Sequence, residues 1–130
     1  MEKFKTKCRR IKFMSQKNEA VVCVYTQSAK KYAKYLEDDS EVIRYETLKE
    51  LDPDRYAYIN PVDIRKEYFE SNWISDFVLH YDNGQISIRE IVKKNSLFKR
   101  STIEKLEFSR RYWMGLNIRD WKIVIVEGDD

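Results

Sequence analysis

Ile74-Ser75-Asp76-Phe77-Val78-Leu79-His80-Tyr81-Asp82-Asn83-Gly84-Gln85-Ile86-Ser87-Ile88-Arg89-Glu90-Ile91-Val92-Lys93 reads as a hairpin. An apolar strand opens with a lone Asp76, turns at Asp82-Asn83-Gly84, and returns as a second apolar strand ending in Val92-Lys93. The Asn-Gly pair predicts a type I′ turn, whose two central residues both need positive φ. Downstream, Ser101-Thr102-Ile103-Glu104 has the pattern of a capping box, in which hydroxyl and carboxylate satisfy free amides at a helix start. That helix is expected to run to about Met114 and stop near Gly115. Trp121 to Val126 reads as a final buried strand. A hairpin, a helix and a last strand imply a right-handed crossover to a parallel strand. The fold class is therefore α/β, a mixed β-sheet flanked by helices.

Upstream the reading is coarser. Val21 to Tyr25 is β-branched enough for a strand, or leads straight into a helix. Ser28 to Glu37 predicts a helix with Tyr32, Tyr35 and Leu36 on one face and Lys30, Lys31 and Lys34 on the other, ended by Asp38-Asp39-Ser40. Glu41 to Glu46 alternates like a half-buried strand. Pro53 and Pro61 bracket Arg55 to Ile59, which reads as an edge strand because proline cannot donate to an interior ladder. Residues 62 to 71 give no clear pattern. The expected organisation is a basic arm over 1–14, one α/β domain over 15–126 and an acidic tail over 127–130.

With 130 residues the chain is one domain. Eighteen aromatics, from nine Tyr, six Phe and three Trp, exclude a disordered class. The net charge of +3 is modest, but its distribution is uneven. Lys3, Lys5, Lys7, Arg9, Arg10 and Lys12 crowd the first residues, and Lys93, Lys94, Lys99, Arg100, Lys105, Arg110 and Arg111 form a second basic stretch. Between them Glu37 to Asp54 is acidic. The two basic stretches form a phosphate-attracting face if they meet in space, and two solvated surfaces if they do not. Cys8 and Cys23 have no metal-ligand or redox spacing, and His80 alone completes no zinc site. No run approaches membrane-spanning length, so a cytoplasmic protein with reduced thiols and no membrane partner is expected. No nucleophilic triad, P-loop or dinucleotide fingerprint appears, and no small-molecule substrate is expected. Trp73, Trp113 and Trp121 read as core, with base stacking the alternative for Trp73.

In their order, these elements resemble the N-terminal catalytic domain of TnsA-type transposon endonucleases, of the restriction-endonuclease-like fold. The likeness spans roughly residues 15 to 126. Leu36-Glu37-Asp38-Asp39-Ser40-Glu41-Val42 resembles the end of that family's first helix, and Ser75-Asp76-Phe77-Val78-Leu79 its Asp-bearing strand. Ile91-Val92-Lys93 stands where the family has an acid or Gln followed by Val-Lys, and Lys105-Leu106-Glu107-Phe108-Ser109-Arg110-Arg111-Tyr112 resembles its second helix. The resemblance implies a metal-dependent nuclease site in which Asp76 is a metal ligand and Lys93 assists catalysis.

The departures are as informative. The helix Glu of the family falls within residues 29 to 31, here Ala29, Lys30 and Lys31, and the third-position acid is Ile91. Only Asp76 and Lys93 remain. Glu90 is the one neighbouring acid, but strand alternation turns it away from Lys93 unless a β-bulge re-aims it. Magnesium takes one or two carboxylates with water and phosphate. Beside Lys31 and Lys93, a lone carboxylate would hold it weakly, while the same pocket would attract phosphate.

The leading expectation is a catalytically degenerate nuclease-like domain of a mobile element or phage. It would act by binding DNA or a DNA-processing protein complex, without a cofactor. Its expected contacts are Lys5, Lys7, Arg9, Arg10, Lys12, Lys31, Lys93, Lys94, Lys99 and Arg100. One alternative is an active Mg-dependent endonuclease using Asp76, a re-aimed Glu90 and Lys93. Another is an inhibitor or assembly factor that engages a basic protein partner through the acidic segment from Glu37 to Asp54.

Overall fold

A computed structural model of the chain describes residues 1–3 and 10–127. The strands are β1 (Glu2–Lys3), β2 (Ile11–Ser15), β3 (Ala20–Val24), β4 (Val42–Glu50), β5 (Trp73–Tyr81), β6 (Ile86–Lys93) and β7 (Asp120–Val126). The helices are α1 (Gln27–Asp38) and α2 (Arg100–Met114). From α1 onward the order is α-β-β-β-α-β, the mixed α/β architecture expected from the sequence. No helix among the described residues is long and apolar enough to cross a membrane.

β5 is the central strand. Along one edge it pairs antiparallel with β4, from Val42↔Tyr81 to Glu50↔Ile74. Along the other it pairs with β6 from His80↔Ile86 to Phe77↔Arg89, after which β1 takes over at Ile74 and Trp73. β7 runs parallel to β6, as the crossover through α2 requires. β2 and β3 form a separate antiparallel ribbon, in register from Ile11↔Val24 to Ser15↔Ala20.

Two apolar clusters hold the layers together. On one face of the sheet, α1 and the ribbon bury Val24, Ala33, Leu36 and Val42 against Phe77 and Leu79. On the other, α2 packs Phe108, Tyr112 and Trp113 with Trp73, Val78 and Ile88. The side-chain alternation of β5 slips between these sets. Trp73 and Val78 face α2 although five residues apart, and Phe77 and Leu79 face α1. An unbroken strand would put 73 and 78 on opposite faces. The slip centres on Asp76, where β6 has left β5 and β1 has not yet joined.

Several local expectations are corrected. The hairpin turn is a three-residue loop rather than type I′. Only Gly84 takes positive φ, +85°. Its N–H donates to the Tyr81 carbonyl, and the Tyr81 N–H donates to the Gln85 carbonyl. This is a type I turn followed by a left-handed glycine. Arg55 to Ile59 is not an edge strand, because Pro53–Tyr58 is a 3-10 helix capped by Asp52 and packed through Tyr56. A second 3-10 turn, Lys66–Glu70, fills the stretch without a clear pattern.

No capping box forms. α2 starts at Arg100 behind Lys99, and Glu104 instead is buried, accepting from the backbone N–H and guanidinium of Arg65 and pairing with Arg100. A buried carboxylate is worth more paired with arginines than spent on a solvated helix start. In α1 the buried residues are Ala29, Ala33 and Leu36, while Tyr35 is 63% exposed. Residues 11–14, grouped with the basic arm on charge, lie in β2. Trp73 is 2% exposed and stacks on Tyr68, which removes it as a base-stacking platform.

Candidate functional site

The slip in β5 positions the site. Between the last β5–β6 pair and the first β1–β5 pair the ladder is open, and side chains fill it. Glu90 Oε1 accepts the Asp76 N–H at 2.9 Å, and Asp76 Oδ2 accepts the Ile91 N–H at 2.7 Å. The parted strands leave a cleft of about 270 Å³ at the end of the sheet. Asp76, Ile91 and Lys93 line it, with Ala29 from α1 and Thr102 and Lys105 from α2. Thr26 starts α1 at the rim of the same cleft, its hydroxyl accepting the Ala29 N–H.

Asp76 and Lys93 therefore share a cleft. The position two before the lysine contributes only the aliphatic side chain of Ile91, and the helix contributes Ala29. Lys30 and Lys31 do not line the cleft, and Lys31 is exposed on α1.

Glu90 does not line the cleft. It is fully buried on the α2 face, where Ser75 Oγ donates to its Oε2 at 2.7 Å and Ser109 Oγ at 2.5 Å. Trp113 Nε1 donates to Ser75 Oγ and Trp121 Nε1 to Ser109 Oγ, which fixes both hydroxyls. No β-bulge turns Glu90 to the side of Lys93. The two carboxylates nevertheless approach a common point from opposite sides. The Met1 ammonium lies 3.4 Å from Asp76 Oδ2 and 3.3 Å from Glu90 Oε1.

The electrostatics follow from burial. Desolvation pushes the Asp76 carboxyl up to about 6, against the pull of the ammonium and with the help of the Glu90 charge. Burial opposes the charge on the Met1 amino group, but the Asp76 and Glu90 carboxylates outweigh it and hold the group up to about 10. Serine hydroxyls, backbone amides and an ammonium saturate the acids.

The donor set does not fit a divalent ion of the nuclease type. Asp76 is the one acid of the expected set in the cleft, Glu2 of β1 also lines it, Lys93 and Lys105 stand beside them, and every Glu90 oxygen is engaged in hydrogen bonds. Among the described residues no group of three His, Cys, Asp or Glu side chains is placed to hold a metal ion.

The basic residues fall in three places. Lys93 and Lys105 belong to the cleft. Lys94, Lys99 and Arg100 are exposed on the segment leading into α2, where Lys94 lies 4.0 Å from Glu127 and Arg100 3.1 Å from Glu104. Arg10 and Lys12 are exposed on the ribbon, and Lys5, Lys7 and Arg9 lie outside the described residues. Tyr25, at the end of β3, lines the cleft and carries the Arg10 guanidinium 6.0 Å from its ring centre, which links the ribbon to the cleft.

Part of the acidic segment is used within the fold, while Asp38, Glu41, Glu50 and Asp54 are exposed. Glu37 accepts from Ser15 Oγ, the Lys17 N–H and Tyr45 Oη, and Glu46 pairs with His80 and Lys49. Hydrogen bonds from Ser15 and Tyr45 outweigh burial and lower the Glu37 carboxyl below its ordinary range. Sequence reasoning missed Ser75, Ser109 and the cleft position of Lys105. Two isolated serines 34 residues apart carry no joint signal, whereas Lys105 already stood out within its basic stretch.

No protein-family model matches the chain, and no curated protein matches it either.

Proposed function

We propose that this chain is a nuclease-like domain, of a mobile element or phage, that acts in the cytoplasm by binding DNA rather than by cutting it. The observation that carries the reading is the composition of the cleft. Asp76 and Lys93 stand where the resembled endonucleases place their acid and lysine, but Ile91 and Ala29 occupy the positions of the other acids. Lys93 and Lys105 supply the cleft's lysines beside Asp76 and Glu2, and positions 91 and 29 add no carboxylate that would help hold magnesium. Binding then needs no cofactor.

Cleavage of supercoiled plasmid with Mg²⁺ or Mn²⁺, beside an Asp76→Ala control, tests this reading together with a salt titration of DNA binding. The expected result is no nicking and an affinity that falls steeply with salt, because counterions are released from phosphate. Nicking that disappears in the control would overturn it.

One observation favours a second reading, the active endonuclease built on Asp76, Glu90 and Lys93. Both carboxylates reach the same cation, the Met1 ammonium, from 3.4 and 3.3 Å. For Glu90 to serve a metal it must give up the Ser75 and Ser109 hydroxyls, so this reading predicts that Ser109→Ala raises nicking.

A further inference from the structure

We infer that the outward face of the β2–β3 ribbon is a B-form DNA contact surface, with the ribbon lying in the major groove. This inference rests on the DNA-binding reading above. The ribbon is two antiparallel strands of five residues each, a size the major groove admits. Its inner face is committed to the core, where Ile11, Phe13 and Val22 pack on the cluster around Phe77 and Ser15 is fully buried. By strand alternation the opposite face carries Lys12 and Met14 of β2 across from Cys23 and Val21 of β3, with Arg10 and Tyr25 just beyond the strand ends.

Within the strands this face carries Lys12 and no acid, with Arg10 just before β2 and the exposed Glu19 in the turn. Charge and apolar surface are segregated along it. Arg10 stacks on Tyr25 at the cleft end, and Lys12 stands across from Cys23. At the turn end Met14 and Val21 form a cross-strand pair that is 60% and 59% exposed. Two apolar side chains on solvent at adjacent positions of a basic face match what the major groove offers, phosphates at its edges and thymine methyl groups on its floor. The A-form groove of duplex RNA is too narrow and deep for such a ribbon.

The ribbon is also held for the task. Lys17 Nζ donates to the carbonyl oxygens of Asp39 and Val42, and Asn18 bonds the backbone of Tyr45 through both its amide nitrogen and its oxygen. With Glu37 gripping Ser15 and Lys17, the turn is fastened to α1 and β4, so little ordering remains to be done on binding.

The experiment is fluorescence anisotropy of the full chain on a thymine-rich duplex, on the same duplex with uracil in place of thymine, and on duplex RNA, across a salt series. Removing about two phosphate contacts with the double variant Arg10→Glu/Lys12→Glu is expected to weaken DNA binding at least ~10-fold and to lower the salt slope by about 2. Met14→Ser/Val21→Ser is expected to erase a few-fold preference for thymine over uracil while leaving the salt slope in place. If the ribbon variants bind like the wild type while Lys93→Ala/Lys105→Ala loses affinity, the ribbon proposal fails and the DNA-binding reading stands. Equal affinity for duplex RNA overturns the groove placement. No binding to any duplex at low salt overturns both.

Discussion

Asp76 and Glu90 bind each other's strands through their side chains at the point where the backbone ladder between β5 and β6 stops. Glu90 accepts the Asp76 N–H at 2.9 Å, and Asp76 accepts the N–H of Ile91, the residue after Glu90, at 2.7 Å. Two carboxylates thus stand in for two backbone carbonyls. The gap they hold open is the cleft, and the satisfied amides explain how a central strand tolerates it.

Removing the bridge should be costly. Glu90→Ala leaves the Ser75 and Ser109 hydroxyls and the Asp76 N–H buried without their acceptor, and is expected to lower stability by about 3 kcal/mol or more in urea unfolding. Glu90→Gln keeps one acceptor oxygen and should lose clearly less. Equal losses in the two variants would mean that packing volume, not the hydrogen bonds, sets the cost.

Asp76 gives the fold a signature in pH. Its carboxyl is raised from 3.8 to about 6 in the folded chain, so its contribution is fully present below 3.8 and is lost as pH rises through about 6. Asp76→Asn removes this dependence. The stability of the variant relative to the wild type is therefore expected to rise across this window and to level above it, measured by urea unfolding at a series of pH values. A flat difference would place the folded carboxyl at its ordinary value.

A second acid placed beside Asp76 should give the cleft a metal site. Ile91 lines the same cleft as Asp76, so Ile91→Glu is expected to create Mn²⁺ binding detectable by titration calorimetry. Adding Asp76→Asn to that variant should abolish it. Binding that survives the second substitution would locate the ion elsewhere.

Gly84 is a test of the hairpin turn. Its φ of +85° is strained for any side chain, although a Cβ there meets no atom within 4 Å. Gly84→Ala should cost about 1–2 kcal/mol through backbone conformation alone, whereas Asn83→Ala should cost much less, since Asn83 lies outside the left-handed region. Asn83→Ala also removes the acceptor of the Gln85 N–H, so only a loss well above that of one exposed hydrogen bond would point back to the type I′ turn.

Much of the hairpin was legible because its signals are local. Alternating apolar residues and an Asp-Asn-Gly turn specify two strands and their connection, and the parallel β7 follows from the helix between. The turn type was misread because Asn-Gly fits two loop lengths that differ only in how the flanking strands register. Arg55 to Ile59 was misread because prolines that flank an edge strand equally begin a 3-10 helix, and burial of Tyr56 against Phe108 decided between them.

The site divides along the same line. The sequence by itself determined which residue types are present: one aspartate at a strand start, a lysine at the end of the next, isoleucine two before it, and no acid among residues 29 to 31. Those are facts of order and identity. Only the tertiary structure decided where Glu90 points, that two distant serines bind it, and that β1 completes an edge β6 abandons. Those outcomes depend on contacts between residues 14 to 89 positions apart, whose energies appear only once the chain has brought them together, as between Asp76 and Glu90 or between Met1 and Glu90.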